Sequence, residues 1–106
     1  MTYCTKEEIR NLTGLTEVEV SDDQLDQMIE EAKNLLDTYT SQPWYPSNAN
    51  YPKIQTVTRF IAISLAYESL PRTPEVNEKA QRYHEKALRM LDALRGFETG
   101  FKVVQG

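Results

Sequence analysis

Catalysis by a side-chain nucleophile would depend on the single cysteine, Cys4, and the single histidine, His84. A cysteine nucleophile needs a nearby base, because the thiolate attacks and the thiol does not. His84 belongs to a distant predicted helix, at the edge of its apolar stripe. We therefore expect Cys4 to be a small, partly buried side chain and His84 to be a structural residue. No catalytic residue is predicted.

Metal and cofactor sites also lack the necessary residues. One histidine and one cysteine cannot supply the ligand spacing of a zinc site, and there is no glycine-rich phosphate loop. Asp22, Asp23 and Asp26 lack the glycine and the loop length of a calcium site. They are placed instead to complement the dipole at the start of a helix. The sequence predicts no metal and no cofactor.

The elements that would position any site are helices with clear boundaries. Thr5 with Glu8, and Ser21 with Gln24, each match the capping box that begins a helix. Gly14 is predicted to end the first helix in a left-handed conformation. The apolar residues of the second helix recur at i, i+3, i+4 and are all predicted to be core: Leu25, Met28, Ile29, Ala32, Leu35, Leu36 and Tyr39.

Residues 54–70 predict the central helix. The segment carries no charge between Phe60 and Tyr67, and its apolar side chains form two opposite faces, with Ile54 and Ile61 on the same face. A helix that is apolar on two sides must be covered on two sides. We therefore predict an all-α fold. It is a small four-helix bundle with a short first helix and three longer ones, near 5–13, 21–40, 52–70 and 73–95.

The fourth helix is predicted to begin at the cap Thr73 and to end at Gly96. Residues 1–96 then form one helical domain, and 97–106 form a flexible C-terminal tail. The tail contains the apolar run Phe101–Val104, which has strand propensity but no partner strand. Two interpretations remain open: the tail orders only on assembly, or Phe101 folds back over the end of the bundle.

A long loop rich in proline and aromatic residues, 41–52, separates the second and third helices. Its aromatic side chains either cover the open end of the bundle or form a contact surface, since exposed aromatics are enriched in binding hot spots. Together with the tail, the loop supplies the candidate interface residues: Trp44, Tyr45, Tyr51, Phe101, Val103 and Val104.

Charge is distributed unevenly along the chain. Residues 1–50 hold ten acidic and three basic residues, whereas residues 51–106 hold six acidic and nine basic ones. These charges either solvate exposed faces or form opposite sides of a subunit that packs head to tail in a ring. The second helix carries six acidic residues against Lys33, which excludes it as a helix that reads duplex DNA. No apolar run approaches the roughly 20 residues that span a bilayer, and the polar N-terminus predicts no signal peptide.

The order of the motifs resembles that of a known family. The chain has Y-x-T-x-E-E-I-R-x-L-T-G-L at residues 3–15, S-D-x-x-L-x-x-x-I-x-x-A at residues 21–32, and D-x-Y at residues 37–39. A proline and aromatic loop and an apolar helix ending in Tyr67-Glu68 follow. This arrangement resembles the head–tail connector proteins (adaptor or head-completion proteins) of long-tailed bacteriophages and prophages. The motifs contain no catalytic signature.

The resemblance implies a subunit of a ring, usually twelve-fold, that lies beneath the portal and continues the DNA channel toward the tail. It implies as partners further copies of the chain, the portal protein and other head-completion or tail-end proteins. It also implies a place at the head–tail interface of the virion, and in the host cytoplasm during assembly. No enzymatic activity, cofactor, membrane contact or sequence-specific DNA binding is expected. A second class stays open: a small prophage-borne helical regulatory or nucleic-acid-associated protein, which would form a stable dimer or bind DNA.

Overall fold

The part of the chain that the structure describes is built from four helices, as predicted. A computed structural model describes the backbone of residues 3–105 and the side chains of residues 3–93. The helices are α1 (Lys6–Thr13), α2 (Asp22–Thr40), α3 (Tyr51–Glu68) and α4 (Pro74–Gln105), and no strand occurs in the described backbone. The predicted all-α fold is confirmed. Every predicted helix boundary lies within two residues of the observed one except the end of α4.

The local signals for helix ends are confirmed in detail. The backbone N–H of Glu8 donates to Thr5 Oγ1, and the backbone N–H of Thr5 donates to the Glu8 carboxylate at 3.0 Å. Ser21 and Gln24 form the same reciprocal pair at the start of α2. Gly14 has a φ of 72°, the left-handed conformation that a glycine adopts without strain. These short-range interactions fix where α1 and α2 begin and where α1 ends.

Arg10 organises the connector between α1 and α2. Its guanidinium donates to the carbonyl oxygens of Leu15 at 3.1 Å and Val20 at 2.9 Å, and to the Asp22 carboxylate at 2.6 Å. The hydrogen bond from Arg10 holds the pKa of the Asp22 carboxyl below its ordinary value. One side chain therefore satisfies two backbone carbonyls and joins the end of one helix to the start of the next.

Helix α3 lies at the centre, with α1, α2 and α4 packed around it. The core divides along α3 into two clusters, and Ile61 contacts both of them. The cluster at the α1 end contains Cys4, Ile9, Leu15, Val20, Leu25, Ile29, Ala32, Ala62, Ile63, Ala66, Tyr67 and Ala80. The cluster at the loop end contains Tyr3, Leu36, Trp44, Tyr51, Ile54, Val57 and Leu91.

Helix α4 starts where the sequence predicts but is longer. The backbone N–H of Val76 donates to Thr73 Oγ1 at 3.1 Å, which confirms the cap. The helix continues to Gln105 and does not end before Gly96. A glycine inside a helix costs only about 1 kcal/mol relative to alanine, and no proline follows, so Gly96 is a weak stop signal. The side chains from residue 94 onward, which include Phe101, Val103 and Val104, lie outside the described residues.

None of the described helices combines the length and the apolar character that crossing a membrane requires.

Candidate functional site

The aromatic loop between α2 and α3 is mostly core. Trp44 is 3% exposed and Tyr51 is 8% exposed, whereas Tyr45 is 62% exposed. Trp44 and Tyr51 were predicted as candidate interface residues, and the structure places both in the cluster at the loop end. For Trp44 this burial agrees with the alternative interpretation, in which the loop covers the open end of the bundle. Of the three loop candidates, only Tyr45 lies at the surface.

Trp44 can be buried because both of its N–H groups find partners. Its indole Nε1–H donates to Thr40 Oγ1 at 2.9 Å, and its backbone N–H donates to the Tyr3 hydroxyl at 2.8 Å. The Tyr3 ring meets the Tyr51 ring edge to face, with 5.8 Å between centroids. A buried tryptophan normally needs such a partner for its N–H. We call this group, with Asp37, the aromatic end.

A charged pair completes the aromatic end. The Tyr3 hydroxyl donates to Asp37 Oδ1 at 2.6 Å, and Asp37 Oδ2 accepts from Lys33 Nζ at 3.0 Å. The same ammonium lies 5.3 Å from the centroid of the Tyr3 ring. Burial, reinforced by the hydrogen bond to Asp37, raises the pKa of the Tyr3 phenol to about 12. The phenol therefore stays protonated and acts as a structural link between the N-terminus, α2 and the loop.

Cys4 and His84 lie in surroundings that do not suit catalysis. Cys4 is buried, and this burial raises the pKa of its thiol to about 12. At neutral pH the thiol is therefore protonated and weakly nucleophilic. His84 is an exposed residue of α4. Within the described side chains, no group of three or more histidine, cysteine, aspartate or glutamate residues is arranged to hold a metal ion.

An apolar groove runs along α3 between α2 and α4, with a volume of about 270 Å³. We call it the α2–α4 groove. The residues that line it come from the three helices: Leu35 and Tyr39 of α2, Ile61, Ser64, Leu65 and Glu68 of α3, and His84, Ala87, Leu88 and Leu91 of α4. Leu35 is 50% exposed and Leu88 is 42% exposed. Both leucines therefore present apolar surface to solvent within the same cleft.

The groove exists because the neighbouring helices cover other faces of α3. At the loop end α2 and α4 are joined by a hydrogen bond from the Tyr39 hydroxyl to Asp92 Oδ1 at 3.1 Å. On a separate face, α1 is tied to α3 by the ion pair between Glu8 and Arg59. Burial alone would raise the pKa of the Glu8 carboxyl, but the Arg59 guanidinium lowers it below its ordinary value. Between α2 and α4, the part of this α3 surface that carries Ile61 and Leu65 is only partly covered.

Two residues predicted as core therefore belong to the groove. Leu35 was placed in the core because it continues the apolar stripe of α2, yet half of it is exposed. Ile61 shares a predicted face with Ile54, but Ile54 is buried and Ile61 is only partly buried. Helical periodicity shows which residues share a face, but it does not show how much of that face a neighbouring helix covers. Only the packing of α2 and α4 separates these positions.

The rim of the groove is acidic. Glu68 lines it, and Glu30 and Glu31 lie beside Leu35 on α2. None of the three forms an ion pair with another residue in the described part of the chain. No lysine or arginine with a described side chain lines the groove. The cleft is thus apolar inside and negative along α2 and α3.

The basic residues of α4 whose side chains are described are largely engaged within the chain. Arg82 pairs with Glu78 at 2.9 Å, as expected for a salt-bridged surface helix. The Lys86 ammonium lies 5.0 Å from the centroid of the Tyr83 ring and 5.7 Å from that of Phe60. Such cations support the packing of α4 on α3. This face does not resemble a row of free cations aimed at phosphates.

No protein-family model, curated protein or solved structure matches this chain. The site is therefore defined by its own residues. Chemically, the α2–α4 groove can remove apolar side chains from water and attract a basic neighbour. Within the described residues it contains neither an activated nucleophile nor a metal-ligand cluster.

Proposed function

We propose that this chain is a structural subunit of the head–tail connector of a tailed bacteriophage or prophage. In this role it forms a ring below the portal and continues the DNA channel toward the tail. The observation that carries the proposal is the order of the sequence motifs, from the Y-x-T-x-E-E-I-R run at the N-terminus to the Tyr67-Glu68 pair at the end of α3.

The structural roles of the motif residues support the proposal. Tyr3 of the first motif donates to Asp37 of the D-x-Y motif, and Tyr39 of the same motif donates to Asp92 of α4. Arg10 of the first motif holds the connector between α1 and α2. These residues connect one helix to another, and proteins of the same fold would need such contacts at the same places. Their occurrence together in the right order favours a common architecture over a chance match.

The α2–α4 groove also supports a role in assembly. A ring of identical subunits needs two different surfaces on each copy, one of which receives the other. The apolar side chains open in this cleft are a candidate for the receiving surface, because a contact there would remove them from water. Partners in the proposed role are further copies of the chain, the portal protein and other head-completion or tail-end proteins.

The proposed role requires no enzymatic activity and no cofactor. DNA passes through the ring without being read, and the acidic exposed side of α2 (Asp23, Glu30 and Glu31) would repel phosphates. A regulatory or nucleic-acid-associated protein would instead need a basic surface. The virion is the expected final location, with assembly in the host cytoplasm.

Deletion of the gene from the phage or prophage that encodes it tests the proposal. The expected result is separate heads and tails in negative-stain electron micrographs, with joined particles restored by a plasmid copy. Purified protein should show negligible affinity for duplex DNA at moderate salt. Normal virions from the deletion strain, or salt-dependent DNA binding in the micromolar range, would contradict the proposal.

A further inference from the structure

We propose that the α2–α4 groove binds the C-terminal helical segment, residues 94–105, of a second copy of this chain. The contact specifies how neighbouring subunits of the proposed ring would join, and in that sense it rests on the proposed function. The contact itself depends only on the groove, the length of α4 and the sequence of that segment.

The groove suits a few apolar side chains better than a small molecule. Its volume of about 270 Å³ is at the lower limit of the roughly 300–1,000 Å³ that is usual for small-ligand pockets, and most of the residues that line it are apolar. Its walls are two helices, α2 and α4, and its floor is a third, α3. An amphipathic helix that lies in such a groove is a common mode of protein recognition. A helix placed here would also cover the face of α3 that carries Ile61 and Leu65.

The sequence of α4 supplies a helix of the right kind. Its apolar residues recur at alternating spacings of four and three: Val76, Ala80, Tyr83, Ala87, Met90, Leu94, Phe97, Phe101 and Val104. An unbroken repeat of this type is typical of a helix that packs against other helices along its whole length. The first five residues of this repeat, Val76, Ala80, Tyr83, Ala87 and Met90, are buried or partly buried in the bundle. The same repeat continues for four more positions.

The repeat in α4 extends beyond the N-terminal end of α3, which lies beside Leu91. Tyr51, the first residue of α3, belongs to the same cluster as Leu91 of α4, so α3 accompanies α4 only to about that level. At about 1.5 Å per residue, the 32 residues of α4 extend about 48 Å, and the 18 residues of α3 about 27 Å. The positions 94, 97, 101 and 104 therefore continue the repeat beyond the end of the helix that α4 packs against.

The segment cannot reach the groove of its own chain while α4 remains one helix. The groove lies beside residues His84 to Leu91, and the backbone continues past them in the same direction to Gln105. To return to Ile61, the chain would have to reverse direction after Leu91. The groove of another copy is thus the available one.

Charge favours the same contact. Residues 94–106 contain Arg95 and Lys102 against the single acidic side chain of Glu98. The rim of the groove carries Glu31 and Glu68, which form no ion pair within the described residues. Opposite charges on the two surfaces would orient the segment and speed its association. A contact between two different surfaces is also the type that generates a ring.

Photo-crosslinking in the full chain tests which groove is occupied. A benzophenone amino acid placed at position 101 is activated in an equimolar mixture of 15N-labelled and unlabelled protein near millimolar concentration. The expected products join position 101 to peptides that contain Leu35, Leu65 or Leu88, and about half of them are of mixed isotope composition. Products confined to one chain would show that the segment covers its own groove and would overturn the proposal. Products between chains that avoid the groove would overturn it as well.

Matched substitutions test the same contact by affinity. Leu35 in the groove and Leu12 in α1 have similar exposure, 50% and 54%, so Leu35→Glu and Leu12→Glu place the same charge on comparable surface. Sedimentation velocity over a concentration series should show self-association weakened at least about thirtyfold by Leu35→Glu, the loss typical of a hot spot, and little changed by Leu12→Glu. If circular dichroism shows that Leu35→Glu does not fold, Leu88→Glu tests the same contact from the α4 wall of the groove. Equal effects at the two sites, or a wild-type protein that stays monomeric up to millimolar concentration, would overturn the proposal.

Complementation separates this proposal from the proposed function. In the deletion strain, Leu12→Glu should restore joined particles and Leu35→Glu should not. If both variants restore them, the groove contact is wrong and the connector function stands. If deletion has no phenotype, the connector function is wrong, while crosslinking and sedimentation still decide the groove contact.

Discussion

The aromatic end and the α2–α4 groove are opposite in character. At the aromatic end, Trp44, Tyr3 and Tyr51 are buried, and the polar atoms of Trp44 and Tyr3 hold hydrogen bonds at 2.6–2.9 Å. In the groove, Leu35 and Leu88 are apolar and roughly half-exposed. The large aromatic side chains of the aromatic end are thus buried, whereas the two leucines of the groove are exposed to solvent.

The difference shows why composition is a poor guide to a contact surface. A loop with tryptophan, tyrosine and proline has the residue types of a binding hot spot, yet tertiary hydrogen bonds remove Trp44 from the surface. Leu35 has the spacing of a core residue, yet α4 does not cover it. Whether a side chain is exposed to a partner depends on how the helices pack, and residue type alone does not predict it.

The largest expected contrast is between Ile54→Asp and Ile61→Asp, two residues on the same predicted face of α3. Ile54 is fully buried in the cluster at the loop end, so an aspartate there would lose its hydration without gaining a partner. We expect a loss of more than about 4 kcal/mol and no cooperative thermal transition. At Ile61 the carboxylate can reach water through the groove, and a cooperative transition at lower temperature should remain. Circular dichroism melts measure both, and equal loss in the two variants would mean that the groove is closed.

Trp44→Ala should have the next largest effect. Truncation of a buried tryptophan leaves a cavity and should cost about 3–5 kcal/mol of unfolding free energy. Tyr45→Ala, at the exposed neighbouring position, is the control and should change stability by less than about 0.5 kcal/mol. Urea unfolding followed by circular dichroism gives both values. Similar small changes in unfolding free energy for the two variants would mean that Trp44 is not buried.

Tyr3→Phe should have a smaller effect that depends on pH. The variant leaves the buried backbone N–H of Trp44 without its acceptor, at a cost of about 1–3 kcal/mol near neutral pH. Burial raises the pKa of the Tyr3 phenol from 10.0 to about 12, so the folded state binds this proton more tightly than the unfolded chain. The stabilisation is complete below pH 10 and is lost as the pH rises toward 12.

Unfolding free energies at several pH values test this assignment. Burial also raises the pKa of the Cys4 thiol, from 9.0 to about 12, so both proteins should lose stability above pH 9. Between pH 10 and 12 the wild-type protein should lose more than Tyr3→Phe does. Parallel curves would mean that the Tyr3 hydroxyl is not buried in the way described. Tyr45→Phe, a change of the same hydroxyl at an exposed position, should follow the wild-type curve.

The sequence was sufficient for the fold and insufficient for the site, for a physical reason. Helix starts depend on contacts three residues apart, such as those of Thr5 with Glu8, and these can be recognised locally. The link from Tyr3 to Trp44 joins residues 41 apart, and nothing in the local pattern of either residue indicates it. The groove depends on the position of α4 beside α3 and not on any motif. The sequence contains one indication of the proposed contact: the apolar repeat of α4 continues past the predicted helix end at Gly96.

If the proposed contact is right, partners bind the α2–α4 groove and not the aromatic loop. Backbone and methyl NMR spectra recorded from dilute to near-millimolar concentration follow both regions in one experiment. We predict concentration-dependent shifts at Leu35, Ile61, Leu65 and Leu88, with the signals of Trp44 and Tyr51 unchanged. Shifts centred on Trp44, Tyr45 and Tyr51, with the groove signals constant, would contradict the account.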